Sequence, residues 1–196
     1  MALSQDPIPQ AHPVLGGDIR FCVVCGAPLE RRRWQVDGSS QLCCTRDGCN
    51  HVHFLDPKVA AGAIVSVEGK AILLRRAHNP GKGLWTFPGG FVDRGEAVGD
   101  AAIREVREEA GVGVRLGPLL GVYSFTGIPT VVIVYLAEVV EGTPRAAAES
   151  TEVRLVGPDE IPFEELAFDT TRAALRDWRT WTATGRIPAL DGRGGE

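Results

Sequence analysis

The most constraining stretch of this 196-residue chain is GFVDRGEAVGDAAIREVREEAGV, residues 90–112. Between Asp93 and Glu109 it carries six acids against three arginines, a local net charge of −3 among residues otherwise suited to a core. The pattern from about 97 to 110 is helical: Ile103, Val106 and Ala110 fall on one stripe, and Gly111 follows as a C-terminal cap. On such a helix Glu105 precedes Glu108 and Glu109 by three and four residues, so three carboxylates crowd one face. Like charges at that spacing cost an isolated helix a few tenths of a kcal/mol per pair. A solvated face balanced by Arg104 and Arg107 is one way to offset this. Hard oxygen donors gathered for Mg²⁺ or Mn²⁺ are the other, and the glycine-rich loop before the helix favours it.

The spacing is Gly90, five residues, Glu96, seven residues, then Arg104-Glu105-Val106-Arg107-Glu108-Glu109-Ala110-Gly111-Val112. It resembles the Nudix box at every fixed position, the signature of hydrolases that cleave a nucleoside diphosphate linked to another moiety. The resemblance implies an α/β fold, a mixed β-sheet between helices in an α/β/α sandwich. It implies Glu105, Glu108 and Glu109 as ligands of Mg²⁺ (or Mn²⁺), with the carbonyl of Gly89 or Gly90 adding another. Glu96 and Arg104 would brace those carboxylates. Family members often place the general base on a loop beyond the central strands. Here Glu149 and Glu152 are the candidates, and Glu149 is preferred.

Other elements follow from pattern. VAAGAIVSV (59–67) and KAILLR (70–75) flank Glu68-Gly69 as a hairpin of buried strands. The Gly/Pro-rich stretch 79–95 reads as loop. LLGVYSF (119–125), TVVIVYLAEVV (130–140) and a run around 152–156 read as strands. A last helix, about 169–184, sets Ala174, Leu175, Trp178 and Trp181 on one face behind an Asp169 cap. Residues 1–19 read as a flexible arm, 20–56 as a separate module, 57–184 as the hydrolase domain and 185–196 as a flexible tail.

All five cysteines lie between Cys22 and Cys49. An odd, clustered set without a secretory signal suits a local metal site in a reducing compartment, hence a cytoplasmic protein, better than a disulfide framework. Cys22-x₂-Cys25 opens one knuckle; the second ends at Cys49 and starts at Cys43 or Cys44. Four thiolates suit a structural Zn²⁺ with no open position. Zinc-ribbon members of the Nudix superfamily show a similar CTR-x-GC knuckle, and that resemblance selects Cys44.

The net charge of −4, and of +1 over residues 20–56, gives no footprint for nucleic acid, and no apolar run is long enough to cross a bilayer. The resemblance implies a small nucleotide substrate as the partner, and a homodimer. The ribbon, the DPK junction (56–58) and EIPFEELAF (160–168) resemble a subgroup associated with ADP-ribose and FAD, giving AMP plus a phosphorylated product. A branch acting on NADH carries a SQPWPFP-type element where this chain has GVYSFTGIP (121–129). Two alternatives stay open: an NADH pyrophosphatase, and an idle ligand sensor whose ribbon touches nucleic acid. Tyr123 and Phe125 are candidate platforms for adenine, or strand core. Arg75 and Arg76 are candidates for a substrate phosphate, or surface.

Overall fold

A computed structural model describes residues 19–33, 40–54, 56–147 and 149–188. The expected arm, Ile19 apart, and the expected tail beyond residue 188 lie outside them. The chain divides into two units, Met1–Asp56 and Pro57–Glu196.

The first unit is an antiparallel sheet of β1 (Leu29–Arg33), β2 (Ser40–Cys44) and β3 (Val52–His53), in that order. Its core is Cys22, Ala27 and Cys44, with Cys25, Leu29 and Cys49 packed against them. Thiols occupy the place that large apolar side chains hold elsewhere, so burial alone supplies little folding free energy here.

The second unit begins with β4 (Lys58–Val67) and β5 (Lys70–Arg76), joined at Glu68-Gly69. Both turn residues have positive φ, 50° and 77°, as a two-residue turn matching strand twist requires. Then follow β6 (Trp85–Thr86), β7 (Gly89–Phe91), α1 (Val98–Ala110), β8 (Gly113–Tyr123), β9 (Thr130–Glu141), β10 (Ser150–Val156), a 3-10 turn at Phe163–Glu165 and α2 (Asp169–Thr184). The sheet runs β10-β5-β4-β9-β8, with β6 on β5 and β7 on β4. Only β4 and β9 pair in parallel, so the sheet is mixed.

Both faces of the sheet are covered, which explains why β4 and β5 read as continuous apolar runs. Ala63 and Val65 of β4, with Ile72 and Leu74 of β5, pack with Val106 and Ala110 of α1. The alternate residues Ile64, Ala71 and Leu73 pack with Ala174, Leu175 and Trp178 of α2. The sandwich expected from the resemblance is the one observed. No helix among the described residues is long and apolar enough to cross a membrane.

Three local expectations change. The stretch 79–95 is not all loop: β6 and β7 lie within it, because short pieces of a glycine-rich segment can add to an existing sheet edge. β8 starts at Gly113, six residues before the apolar run. As an edge strand it tolerates Gly117-Pro118 through register shifts between Leu116 and Gly121. Asp169 does not cap α2: the N-cap is the extended Phe168, and Asp169 is the first helical residue. There its charge still suits the helix dipole.

Candidate functional site

α1 starts after the extended Ala97 and ends at Gly111, whose φ of 68° suits glycine and whose N–H caps the Arg107 carbonyl. Successive helical positions turn by about 100°, so Glu105 and Glu109 stand about 40° apart while Glu108 falls to one side. Glu109 is 6% exposed, and its Oε2 accepts the Gly89 N–H at 2.9 Å. Burial pushes its carboxyl up to about 7 against that hydrogen bond, and the charges of Glu105 and Glu149 push the same way. Burial also raises Glu105, against the pull of Arg104. Glu108 is exposed at the rim, so the three acids do not share one buried face.

The glycines make this crowding sterically possible. A Cβ on Gly90 would lie 2.5 Å from the Glu105 carboxyl group. A Cβ on Gly89 would meet the Gly62 Cα at 2.8 Å, and one on Gly62 the Pro88 carbonyl oxygen at 2.5 Å. Gly62 pairs with Gly89 across β4 and β7, bringing the loop down onto the sheet. Sequence reading missed Gly62, although an isolated glycine inside an apolar strand signals close backbone approach.

Arg104 ties the acids together. Its Nε and Nη2 donate to both oxygens of Glu96 (2.8 and 2.9 Å), Nη1 to Glu105 (2.7 Å) and Glu108 (3.2 Å), and Nη2 also to the Phe91 carbonyl (3.1 Å). The guanidinium, helped by the Asp93 N–H, holds Glu96 down at about 2. This network fixes the loop against the helix.

Of the two acids before and in β10, Glu149 is the one near this cluster. Its charge raises both Glu105 and Glu109, and its carbonyl accepts the Ala77 N–H at 2.9 Å. Glu152 instead pairs with Arg75 at 3.4 Å. Arg75 also donates to the Gly83 carbonyl, so its charge is engaged. Arg76 sits beside the acids and lowers Glu109. Its Nε donates to the Pro80 carbonyl at 2.7 Å and its guanidinium lies 5.1 Å from the Phe168 ring centre. Phe125 is half-buried after β8. Tyr123 does not offer a ring face: it is a core residue, 8% exposed, and its hydroxyl donates to Asp177. Burial and then the Asp177 charge raise that phenol far above its usual range.

Glu105 and Glu109 offer hard oxygen donors of the kind a divalent cation takes, and burial, with the charges of neighbouring acids, raises both carboxyls. In the first unit, the Sγ atoms of Cys22, Cys25, Cys44 and Cys49 all lie within 4.8 Å of one another. The Cys22–Cys49 and Cys25–Cys44 separations are 3.8 and 3.4 Å. A tetrahedral zinc with bonds of about 2.3 Å needs sulfurs about 3.8 Å apart, whereas a disulfide needs about 2.05 Å. The set is compatible with zinc. Cys43 is turned away, its thiol directed to the Gln41 carbonyl at 3.8 Å. The Ala27 N–H holds the Cys25 thiol down at about 7. Against the Arg46 N–H, burial and the neighbouring thiols push Cys44 up to about 12.

A family model described as the NUDIX domain matches residues 56–179. The chain belongs to the Nudix family. An ADP-ribose pyrophosphatase of Methanocaldococcus jannaschii is 33% identical over 147 residues, 73% of this chain and 85% of that protein. The crystal structure of a Nudix hydrolase from Nitrosomonas europaea superposes with a TM-score of 0.79 at 33% identity, over 88% of this chain and 96% of that one. A protein named NAD-capped RNA hydrolase NudC, from Stutzerimonas stutzeri, is 33% identical over 96 residues, 49% of this chain but 32% of its own length. The chain is a Nudix pyrophosphohydrolase.

Proposed function

We propose that this Nudix protein hydrolyses the pyrophosphate bond of ADP-ribose or FAD in the presence of Mg²⁺ or Mn²⁺, releasing AMP and a phosphorylated product. The observation that carries the reading is the pairing of half-buried Glu105 with buried Glu109, with Glu149 within electrostatic reach of both and Arg76 of Glu109. Glu105, Glu108, Glu109 and the Gly89 carbonyl would hold the cation, and Arg104 and Glu96 would keep Glu105 and Glu108 aimed. When bound, the dication neutralises the diphosphate and makes water a stronger nucleophile.

The chain's own groups do the rest. Glu149 takes one proton from the attacking water as that oxygen bonds to phosphorus. The bridging P–O bond breaks, and the bridging oxygen leaves with the second phosphate. Arg76, braced by Phe168 and the Pro80 carbonyl, faces the charge that develops on the phosphates. ADP-ribose is favoured by the relative of that name, which matches most of this chain. The four cysteines would hold a structural Zn²⁺, and unpaired thiols of this kind suit the cytoplasm.

Release of nucleotide products from ADP-ribose, FAD, NADH, CoA and diadenosine compounds, with Mg²⁺ and with a Glu109→Gln variant beside the native chain, tests the reading. ADP-ribose or FAD should turn over fastest. Preference for NADH moves the protein to the NADH branch, and no turnover on any diphosphate leaves a ligand sensor.

A further inference from the structure

The last carbonyls of a helix lack partners within it and must be met from elsewhere. At the end of α1 the Arg107 carbonyl takes the Gly111 N–H. The carbonyls of Glu109 and Ala110 are met by the segment that leads into β10. The Arg145 N–H donates to Ala110 at 3.0 Å, and the Ser150 hydroxyl shares its proton between the Glu109 carbonyl at 3.4 Å and the Ala147 carbonyl at 3.5 Å. The Arg145 side chain also lies across Gly111, where a Cβ would come within 2.9 Å of it. The box glycine thus serves the latch as well as the helix end.

Ser150 is the buried centre of this latch, 8% exposed. Its hydroxyl accepts the Ala147 N–H at 3.1 Å, and its own N–H donates to the Ala147 carbonyl at 3.0 Å. One small polar side chain therefore closes the turn before β10 and ties that turn to α1. Its neighbour is Glu149, which is exposed and held through its carbonyl by Ala77. A strand start buried against β5 has no need of a hydroxyl for packing, and burying one is costly unless it is bonded.

We propose that Ser150 is a positioning residue for hydrolysis: its buried hydroxyl couples the Glu109 carbonyl to the turn carrying Glu149, so that the cation-holding helix and the base keep one spacing. The inference rests on Glu149 acting as the base. An error of about 1 Å in such a spacing can cost about a hundredfold in rate.

A double-mutant cycle tests it, with kcat, KM, melting temperature and Mn²⁺ affinity by calorimetry read for each protein. Ser150→Ala should lower kcat at least tenfold while KM and Mn²⁺ affinity stay within about twofold, because the Glu109 carboxylate keeps its Gly89 N–H. Ser150→Thr, which keeps the hydroxyl, should restore most of the loss. In a Glu149→Gln background, Ser150→Ala should add nothing. An equal loss in both backgrounds, a parallel fall in Mn²⁺ affinity, or an unchanged kcat overturns the inference. Native turnover by Glu149→Gln overturns the base reading itself and this inference with it, and is recognised before Ser150 is touched. If Ser150→Ala does not fold, Ser150→Cys, whose thiol is a poor donor, takes its place in the cycle.

Discussion

Glu109 is under opposing demands: its burial would suit a cation ligand and makes it a poor structural residue. The carboxyl stands at about 7 in the fold against 4.5 in an unfolded chain, raised by desolvation first. Below the unfolded value both states hold the proton and nothing is lost. As pH climbs to about 7 the folded state retains a proton that the unfolded state releases, so stability declines, levelling off at roughly 3 kcal/mol. Glu109→Gln mimics the protonated form at every pH, and its amide oxygen can still accept the Gly89 N–H. Without added magnesium the variant should melt higher than the native chain at pH 8 and match it near pH 4.5. With magnesium its kcat should drop at least about a hundredfold. A melting difference independent of pH would contradict the burial argument. At the same scale, Phe168→Leu should lower kcat about fivefold and leave KM near its native value, because it removes the ring that braces Arg76 against the developing charge. Steady-state kinetics read the two apart. Spacing along the chain names Glu105, Glu108 and Glu109 alike, but only packing decides which is buried, so the contrast between Glu109 and Glu108 was not legible. Tyr123 shows the reverse: an aromatic at a strand end suits a base platform in sequence, yet Asp177, 54 residues later, claims its hydroxyl.

The contact of β4 with β7 sets how closely the loop approaches the helix acids, and its glycines divide by what lies opposite each. Gly62 faces backbone, the Pro88 carbonyl, together with the Phe87 ring. Backbone cannot swing aside, so Gly62→Ala should destabilise by about 2 kcal/mol, as overpacking does, and equilibrium denaturation measures it. Gly90 faces a side chain end, the Glu105 carboxyl. Gly90→Ala should therefore fold with a melting temperature near that of the native chain, and lose at least tenfold in Mn²⁺ affinity by calorimetry as Glu105 is turned out. Equal melting losses in both would show that the cradle is only a packing feature. The helix, its C-cap, the hairpin and the long strands were legible because each repeats a local pattern: period 3.6, a positive-φ turn, or apolar runs buried on both sides. β6 and β7 were not. Two and three residues cannot show a period, and they are strands only because β5 and β4 lie ready to pair with them.

At the scale of the whole molecule, the two units keep their folds by different means. Pro57–Glu196 has two apolar layers, one under each helix. Met1–Asp56 has a core whose named members are mostly thiols, and thiols within 4.8 Å of one another cannot all ionise without a cation. If zinc supplies the missing free energy, removing it should unfold one unit and spare the other. Native chain treated with a strong chelator should lose the amide protection of β1, β2 and β3 in hydrogen exchange, while β4, β5 and α1 keep theirs. Zinc without magnesium should restore the first set. Cys44→Ser should reproduce the loss without chelator. Cys43→Ser should not, since that thiol only meets the Gln41 carbonyl. Retention of protection in β1–β3 after complete zinc removal, shown by metal analysis, would mean that Cys22, Cys25, Cys44 and Cys49 pack as small apolar groups. The choice between Cys43 and Cys44 is one that neighbouring identical residues leave open in any sequence, because strand alternation sends them to opposite faces of β2 and only the fold says which face holds the knuckles.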